Sequence, residues 1–227
     1  MEKQISRFAR DDGLGFAMGR ITAIEAQKKR GDRVSIFVDG QFVAGAHEEV
    51  VAALNLTVGQ AFDSDRLAEV IRKETTRKAR ESALRLLSYR DRTESEIRKR
   101  LVGNDFPEDI VDEVIDYLAQ VGLLDDEKFS RDWVKSRTVS RPMGRTRLAW
   151  ELRSKGVDAP NIEQALESLD ENAEYEMALS LAAKKAEKSD TSDPAFRTRT
   201  ASFLRRRGFK WDAVAKALDE VCPQAGD

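Results

Sequence analysis

The chain holds a single cysteine, Cys222, and a single histidine, His47, among 227 residues. One thiol builds neither a disulfide framework nor a cysteine zinc cluster. One imidazole leaves no two-histidine metal site, and a Ser-His-Asp triad would have to use His47, set in the small-residue stretch Ala44-Gly45-Ala46. With 5 Pro and 13 Gly, the chain is neither collagenous nor of low complexity. Aromatics make up only 7%, so its cores should be aliphatic and thin. No apolar run approaches the roughly 18 residues that cross a bilayer. Met1-Glu2-Lys3-Gln4 lacks the apolar centre of a secretory signal, which makes a reducing cytoplasm the expected compartment. Gly13-Leu14-Gly15 lacks the downstream Lys and Ser or Thr of a phosphate loop. Little is left with which to build an enzyme, and no cofactor is expected.

Charge, by contrast, is abundant: 39 basic and 41 acidic residues, 35% of the chain, for a net of −2. With much Glu, Lys, Arg, Ala and Leu, this composition favours helix. The near-neutral sum hides segregation. Nine acids and no base lie between Asn104 and Glu127. From Trp133 to Trp150 the ionised residues are Lys135, Arg137, Arg141, Arg145 and Arg147, all basic. Residues 156–183 are acidic again. From Ala195 to Lys210 the block is Arg197, Arg199, Arg205, Arg206, Arg207 and Lys210, with no acid. A single run of this kind is usually a solvated helix face; four alternating blocks suit a molecule that turns basic surfaces toward a polyanion.

The C-terminal two-thirds repeats itself. Leu101–Leu118, Leu152–Leu169 and Leu204–Val221 align without gaps. Each has an apolar turn residue (Phe106, Val157, Phe209), then apolar positions at helical spacing, such as Val111, Val114, Ile115 and Leu118. Gly156 and Gly208 share one repeat position after a basic helix end, as a left-handed C-terminal cap requires. The first repeat has Asp105 there, so a different turn chemistry is expected. One more helix precedes each shared segment. Thr93-Glu94-Ser95-Glu96 reads as a capping box. Asp125 and Asp126 can cap the helix of Phe129 and Trp133, which explains the Asp125-Asp126-Glu127 cluster without a metal. Ser192-Asp193-Pro194 opens another, with Pro in the tolerated first turn. Units of three helices, each too small to be robust alone, should pack into an elongated, curved array.

The first 80 residues differ. Arg20–Ile24 and Arg33–Val38 read as strands, joined through Asp39-Gly40 to a returning Gln41–Ala44. Glu48 to Leu54 reads as a short helix, Ala61-Phe62 as a closing strand, and Asp63-Ser64-Asp65 as the cap of a helix running toward the first repeat. The expected boundaries are a loose tail over 1–19, a hairpin-plus-helix extension over 20–78, and three-helix repeats over 79–122, 123–170 and 171–222.

Arginine dominates the basic blocks and suits bidentate phosphate or carboxylate contact. Arg137, Arg141, Arg145 and Arg147 surround Ser140-Arg141-Pro142-Met143-Gly144, a breaker-rich loop whose Pro142 and Gly144 should expose backbone, and loops between helices often carry function. Arg205, Arg206, Arg207 and Lys210 come second, because helix-dipole complementation would place bases at Arg207 and Lys210 in any case. Arg153, Lys155, Arg197 and Arg199 complete the candidate set. Trp133 lies on an apolar face with Phe129 and reads as core; Trp150 is open to either role.

Ala83–Ile97, with its Leu-Arg-Leu-Leu-Ser-Tyr-Arg-Asp-Arg-Thr-Glu-Ser-Glu centre, resembles the opening of the RecX family, bacterial modulators of the RecA recombinase. Gly122-Leu123-Leu124-Asp125-Asp126 with Phe129, Trp133, Val134 and Arg137 is similar to a second signature, and Glu151–Val157 to a third. The resemblance is clearest over residues 80 to 170. It implies a mostly α fold of three tandem winged-helix-like three-helix repeats, with the N-terminal hairpin an extension found in some members. It also implies a regulator that binds RecA on single-stranded DNA in the filament groove and suppresses ATP turnover, strand exchange and coprotease activity in DNA repair and the SOS response. The expected partners are the RecA filament and single-stranded DNA, directly or through RecA, with no membrane, and a monomer. A second reading is a helical-repeat nucleic-acid binder acting mainly by direct DNA contact. It predicts tight naked-strand binding with a steep salt slope.

Overall fold

The computed structural model describes residues 18–27, 32–191 and 193–222. The expected loose tail before Gly19 therefore lies almost wholly outside the described residues, as does Gly13-Leu14-Gly15. The chain divides into two compact units, Met1–Ala79 and Arg80–Asp227.

The first unit is a small sheet with a helix packed on it. Strands β1 (Met18–Ala26), β2 (Arg33–Val38), β3 (Gln41–His47) and β4 (Ala61–Asp63) pair antiparallel in the order β3-β2-β1-β4. The β2–β3 turn is Asp39-Gly40, at φ 50° and 79°. Positive φ at both central residues matches the twist of the strands, which is why Asp-Gly is favoured there. Helix α1 (Glu48–Ala53) follows β3, and Asp63 accepts hydrogen bonds from the Asp65 and Arg66 amides (2.9 and 3.3 Å) to open α2 (Ser64–Tyr89). Period-two alternation in β2 buries Val34, Ile36 and Val38 against Ile21, Val50, Leu67 and Ile71.

Helix α2 is 26 residues long, and its C-terminal part is the first helix of the second unit. There the described helices fall into three triplets. Repeat 1 is the end of α2 with α3 (Glu94–Gly103) and α4 (Glu108–Gln120). Repeat 2 is α5 (Asp126–Ser140), α6 (Arg145–Ser154) and α7 (Ala159–Glu167). Repeat 3 is α8 (Glu171–Ala186), α9 (Pro194–Arg206) and α10 (Trp211–Val221). The aligned leucines Leu101, Leu152 and Leu204 are fully buried, each in its own repeat. Gly156 and Gly208 adopt φ 82° and 84° in the turns after α6 and α9. Asp105 corrects the expectation of a different turn: it takes φ 61° at the same position, because Asp tolerates the left-handed region better than most residues.

The caps expected at Asp125 and Asp193 formed, and Asp158 and Asp170 supply two that the sequence reading did not name. Asp125, Asp158, Asp170 and Asp193 each accept from a backbone amide in the first turn of the following helix. The capping box is half realised. Thr93 accepts from the Glu96 amide at 3.2 Å, while the Glu96 carboxylate turns to Arg90 and Lys155, both at 3.0 Å.

The joints between repeats reuse one design. The C-terminal turn of each middle helix meets the N-terminus of the middle helix before it. Thr93 Oγ1 donates to the Lys155 carbonyl at 2.6 Å. One repeat later, the Gly144 and Thr146 amides donate to the Arg207 and Gly208 carbonyls at 3.0 and 3.2 Å. Free carbonyls of one helix end thus accept from donors at the start of another, a hydroxyl at the first joint and backbone amides at the second, with the helix dipoles running head to tail. An acid from the first helix of the next repeat completes each joint. Asp126 accepts from the Glu94 amide at 2.9 Å. Glu174, 2% exposed, accepts from the Arg145 and Lys210 amides at 3.2 and 3.0 Å.

Candidate functional site

The two late basic blocks of the sequence meet at the joint between repeats 2 and 3. Pro142 ends α5, since the residue before a proline is pushed out of the helical region; Arg141 sits there at φ −150°. Met143 then plugs inward at 5% exposure, and Gly144 starts α6. The loop is therefore not the exposed backbone expected from its breakers. Gly144 is buried because the Gly208 turn lies directly on it, at a separation no side chain would fit. Arg207 Nη1 donates across the joint to the Pro142 carbonyl at 3.0 Å. The result is a cavity of about 200 Å³ lined by Arg141, Arg147, Arg206, Arg207, Met143 and Glu151.

Glu151 organises the cations on the α5–α6 side. Its carboxylate accepts from the Trp133 indole at 3.2 Å. Arg137 Nε stands 3.3 Å and Arg147 Nε 3.6 Å from its oxygens. The Arg137 guanidinium lies 4.2 Å from the Trp133 ring centre and the Lys155 ammonium 4.5 Å, while Phe129 stacks against Trp133 at 5.8 Å. Trp133 is thus half-buried in the repeat 2 core and also fixes two cations. Trp150 is 53% exposed, with the Arg147 guanidinium 4.3 Å from its ring. Lys155 carries the array to Glu96 in repeat 1. Burial opposes ionisation of Glu96, but hydrogen bonds from Arg90 and Lys155 prevail and hold its pKa below the usual glutamate value.

The twelve candidate cations separate into classes. Arg141, Arg153, Arg205, Arg206 and Lys210 are exposed, and no side-chain partner holds them among the described residues. Arg137, Arg147, Lys155 and Arg207 are half-buried and oriented by Glu151, Glu96 or Pro142. Arg145 points inward, its guanidinium donating to the Leu166 carbonyl at 2.6 Å. Arg197 and Arg199 pair with Asp219 and Asp193 at 2.5 and 2.7 Å. Arg207 caps the C-terminal end of α9, where a base complements the dipole. Lys210 departs from that expectation: it is the N-cap of α10, the end where a base is electrostatically disfavoured, and its amide is held by Glu174. Sequence reading missed Glu151 and Glu174. Glu151 adjoins a basic block and Glu174 lies within the acidic stretch 156–183, and only the fold shows which cations Glu151 faces and which helix ends Glu174 caps. Asp125, Asp126 and Glu127 serve as a cap, as the joint to α3 and as a partner of Arg131.

Against known proteins, four family profiles match in chain order: "Regulatory protein RecX N-terminal domain" over residues 19–63, and the first, second and third three-helix domains of RecX over 79–118, 125–166 and 172–218. The chain belongs to the RecX family. It is 31% identical to the regulatory protein RecX of Clostridioides difficile strain 630 over 205 residues, covering 90% of this chain and 96% of the relative. It is 40% identical to that of Corynebacterium efficiens over 167 residues, 69% of this chain and 77% of the relative. A crystal structure of regulatory protein RecX matches at TM-score 0.63 and 27% identity, over 88% of this chain and 99% of that one. The RecX crystal structure from Lactobacillus salivarius matches at TM-score 0.62 and 25% identity, over 66% and 97%. The N-terminal sheet, which the resemblance placed outside the shared RecX core, has a family profile of its own. No described helix is long and apolar enough to cross a membrane.

Proposed function

We propose that this protein regulates RecA: it binds the RecA–single-stranded DNA filament in its helical groove and lowers ATPase, recombinase and coprotease activity. Arg141 and Arg147 of repeat 2 converge with Arg206 and Arg207 of repeat 3 on one cavity, and this observation carries the reading. Four guanidiniums beside a single carboxylate favour an anionic surface, either the DNA phosphates or acidic side chains of the filament. Cations spread over several repeats let many weak contacts add through effective concentration. Because Glu151 already offsets Arg137 and Arg147, affinity for a naked polyanion is moderated and a composite protein–DNA surface is favoured.

Titrating RecA ATPase on single-stranded DNA tests this. Inhibition at or below one protein per RecA supports the proposal, and undiminished turnover at equimolar protein refutes it. The second reading, direct DNA binding, is favoured by one feature, the exposed Trp150 ring beside Arg147, which could stack on a base. It requires tight binding to naked strands with a steep salt slope.

A further inference from the structure

Repeat 3 has an open cleft where repeat 1 is bridged. The aligned repeats place Arg98, Ala149 and Ala201 at one position and Asp112, Glu163 and Ala215 at another, in a register anchored by the buried Leu101, Leu152 and Leu204. In repeat 1, Arg98 reaches from α3 to Asp112 on α4 and also to Glu94, closing the groove between those helices. In repeat 3 both bridging positions are alanine. The groove between α9 and α10 is left as a cleft of about 400 Å³. Ala201, Ala215 and the buried Leu218 form its apolar floor, and Arg197, Arg205 and Trp211, the last 57% exposed, stand around it.

We propose that this cleft docks an acidic protein segment, with one apolar side chain seated over Ala201 and Ala215 against Trp211 and its carboxylates on Arg205 and Arg197. Three observations carry this. Of the six bases between Ala195 and Lys210, Arg197 and Arg205 line the cleft, and no acid is among its lining residues, so an acidic partner is complementary. Arg205 is exposed and without a side-chain partner among the described residues, whereas Arg197 is partly offset by Asp219. A large aromatic held in the open beside an arginine, over a small-residue floor, is the composition of an interface anchor point. Sequence-independent single-strand binders instead track the backbone with several rings on which successive bases stack, and this cleft has one ring. It is separate from the Arg141–Arg207 cavity, and the proposal stands whether or not that cavity engages the filament.

The test uses the full chain and a fluorescein-labelled, Glu-rich amphipathic peptide carrying Leu and Phe anchors, compared by anisotropy with a peptide of equal charge whose anchors are Ser. The anchored peptide should bind about tenfold or more tightly than its anchor-free counterpart. Ala201→Arg with Ala215→Asp, which rebuilds the bridge of repeat 1 and fills the cleft, should weaken its binding by a similar factor at unchanged helicity. Trp211→Ala, which truncates an exposed ring, should do the same and keeps the test valid if the double variant folds poorly. Equal binding of both peptides, or full affinity in Trp211→Ala, overturns the proposal. So does a labelled oligo-dT strand that loses affinity in these variants while the anchored peptide never binds.

Discussion

Replacing Gly144 by alanine should open the joint between repeats 2 and 3 while leaving each repeat's core intact. Gly144 has φ −73° and ψ 163°, a conformation any residue adopts, so the substitution carries no backbone strain of its own. The added methyl would instead fall on the Gly208 carbonyl and the Phe209 amide, both backbone and unable to step aside. To admit it, the α9 turn must move off the α6 N-terminus. That breaks the bonds from Gly144 and Thr146 to Arg207 and Gly208, each contributing about 1 kcal/mol. It also loosens the buried Glu174 carboxylate from the Arg145 and Lys210 amides, and leaving such a group unsatisfied costs about 1–3 kcal/mol. Alanine is a poorer N-cap than glycine as well. The expected loss is about 3–5 kcal/mol, a large part of a small domain's stability. Urea unfolding followed by far-UV circular dichroism measures it. Repeat 3 should melt in an early, separate step, and limited proteolysis should cut first after Ser189. A variant within about 0.5 kcal/mol of the parent, unfolding in one step, would refute the account of the joint.

Thr200→Val should stabilise repeat 3 by about 1 kcal/mol, because the Thr200 hydroxyl is fully buried with no hydrogen-bond partner among the described residues, where repeats 1 and 2 carry Ile97 and Leu148; a lowered urea midpoint would contradict this. Asp126 titrates above the usual aspartate range because burial, aided by Glu94, Asp158 and Asp125, disfavours its charge despite the Glu94 amide. The protonated form is thus favoured by the fold, and its contribution falls as pH rises from the usual aspartate range through the raised value. Asp126→Asn, which keeps an acceptor for that amide, should be neutral or stabilising at pH 7 in thermal melts. Glu96 has the opposite sign: its contribution is present above the usual glutamate range and lost as pH falls through its lowered value. Glu96→Gln should flatten that acid limb of the stability profile. Arg145→Ala should lower stability more than filament affinity, since its guanidinium holds the Leu166 carbonyl.

Local signals in the sequence translated well into structure. The Asp39-Gly40 hairpin, the caps at Asp125 and Asp193 and the glycine turns at Gly156 and Gly208 each depend on neighbours in the chain, so composition and spacing reveal them. The joints were not legible. Whether an arginine faces solvent or a carbonyl is decided by residues far away in sequence: Leu166 for Arg145, Pro142 for Arg207, Glu151 for Arg137 and Arg147. The Ser140–Gly144 loop misled for the same reason. Its breakers signalled a break in helix, but the turn of another repeat covers it. Charge segregation singled out the two basic blocks; only the fold shows that residues of both line one cavity.

The central claim is that the Arg141, Arg147, Arg206 and Arg207 surface engages a RecA–DNA filament. The most direct measurement is binding of the protein, wild type and Arg141→Ala with Arg206→Ala, to RecA filaments on single-stranded DNA and to the same naked strand, by fluorescence anisotropy across a salt series. Neither arginine has a side-chain partner among the described residues, so helicity should be unchanged. The account predicts that filament binding exceeds naked-strand binding, persists at higher salt, and weakens about tenfold or more in the double variant. Undiminished filament affinity in that variant, or wild-type affinity no greater for the filament than for the naked strand, would contradict it.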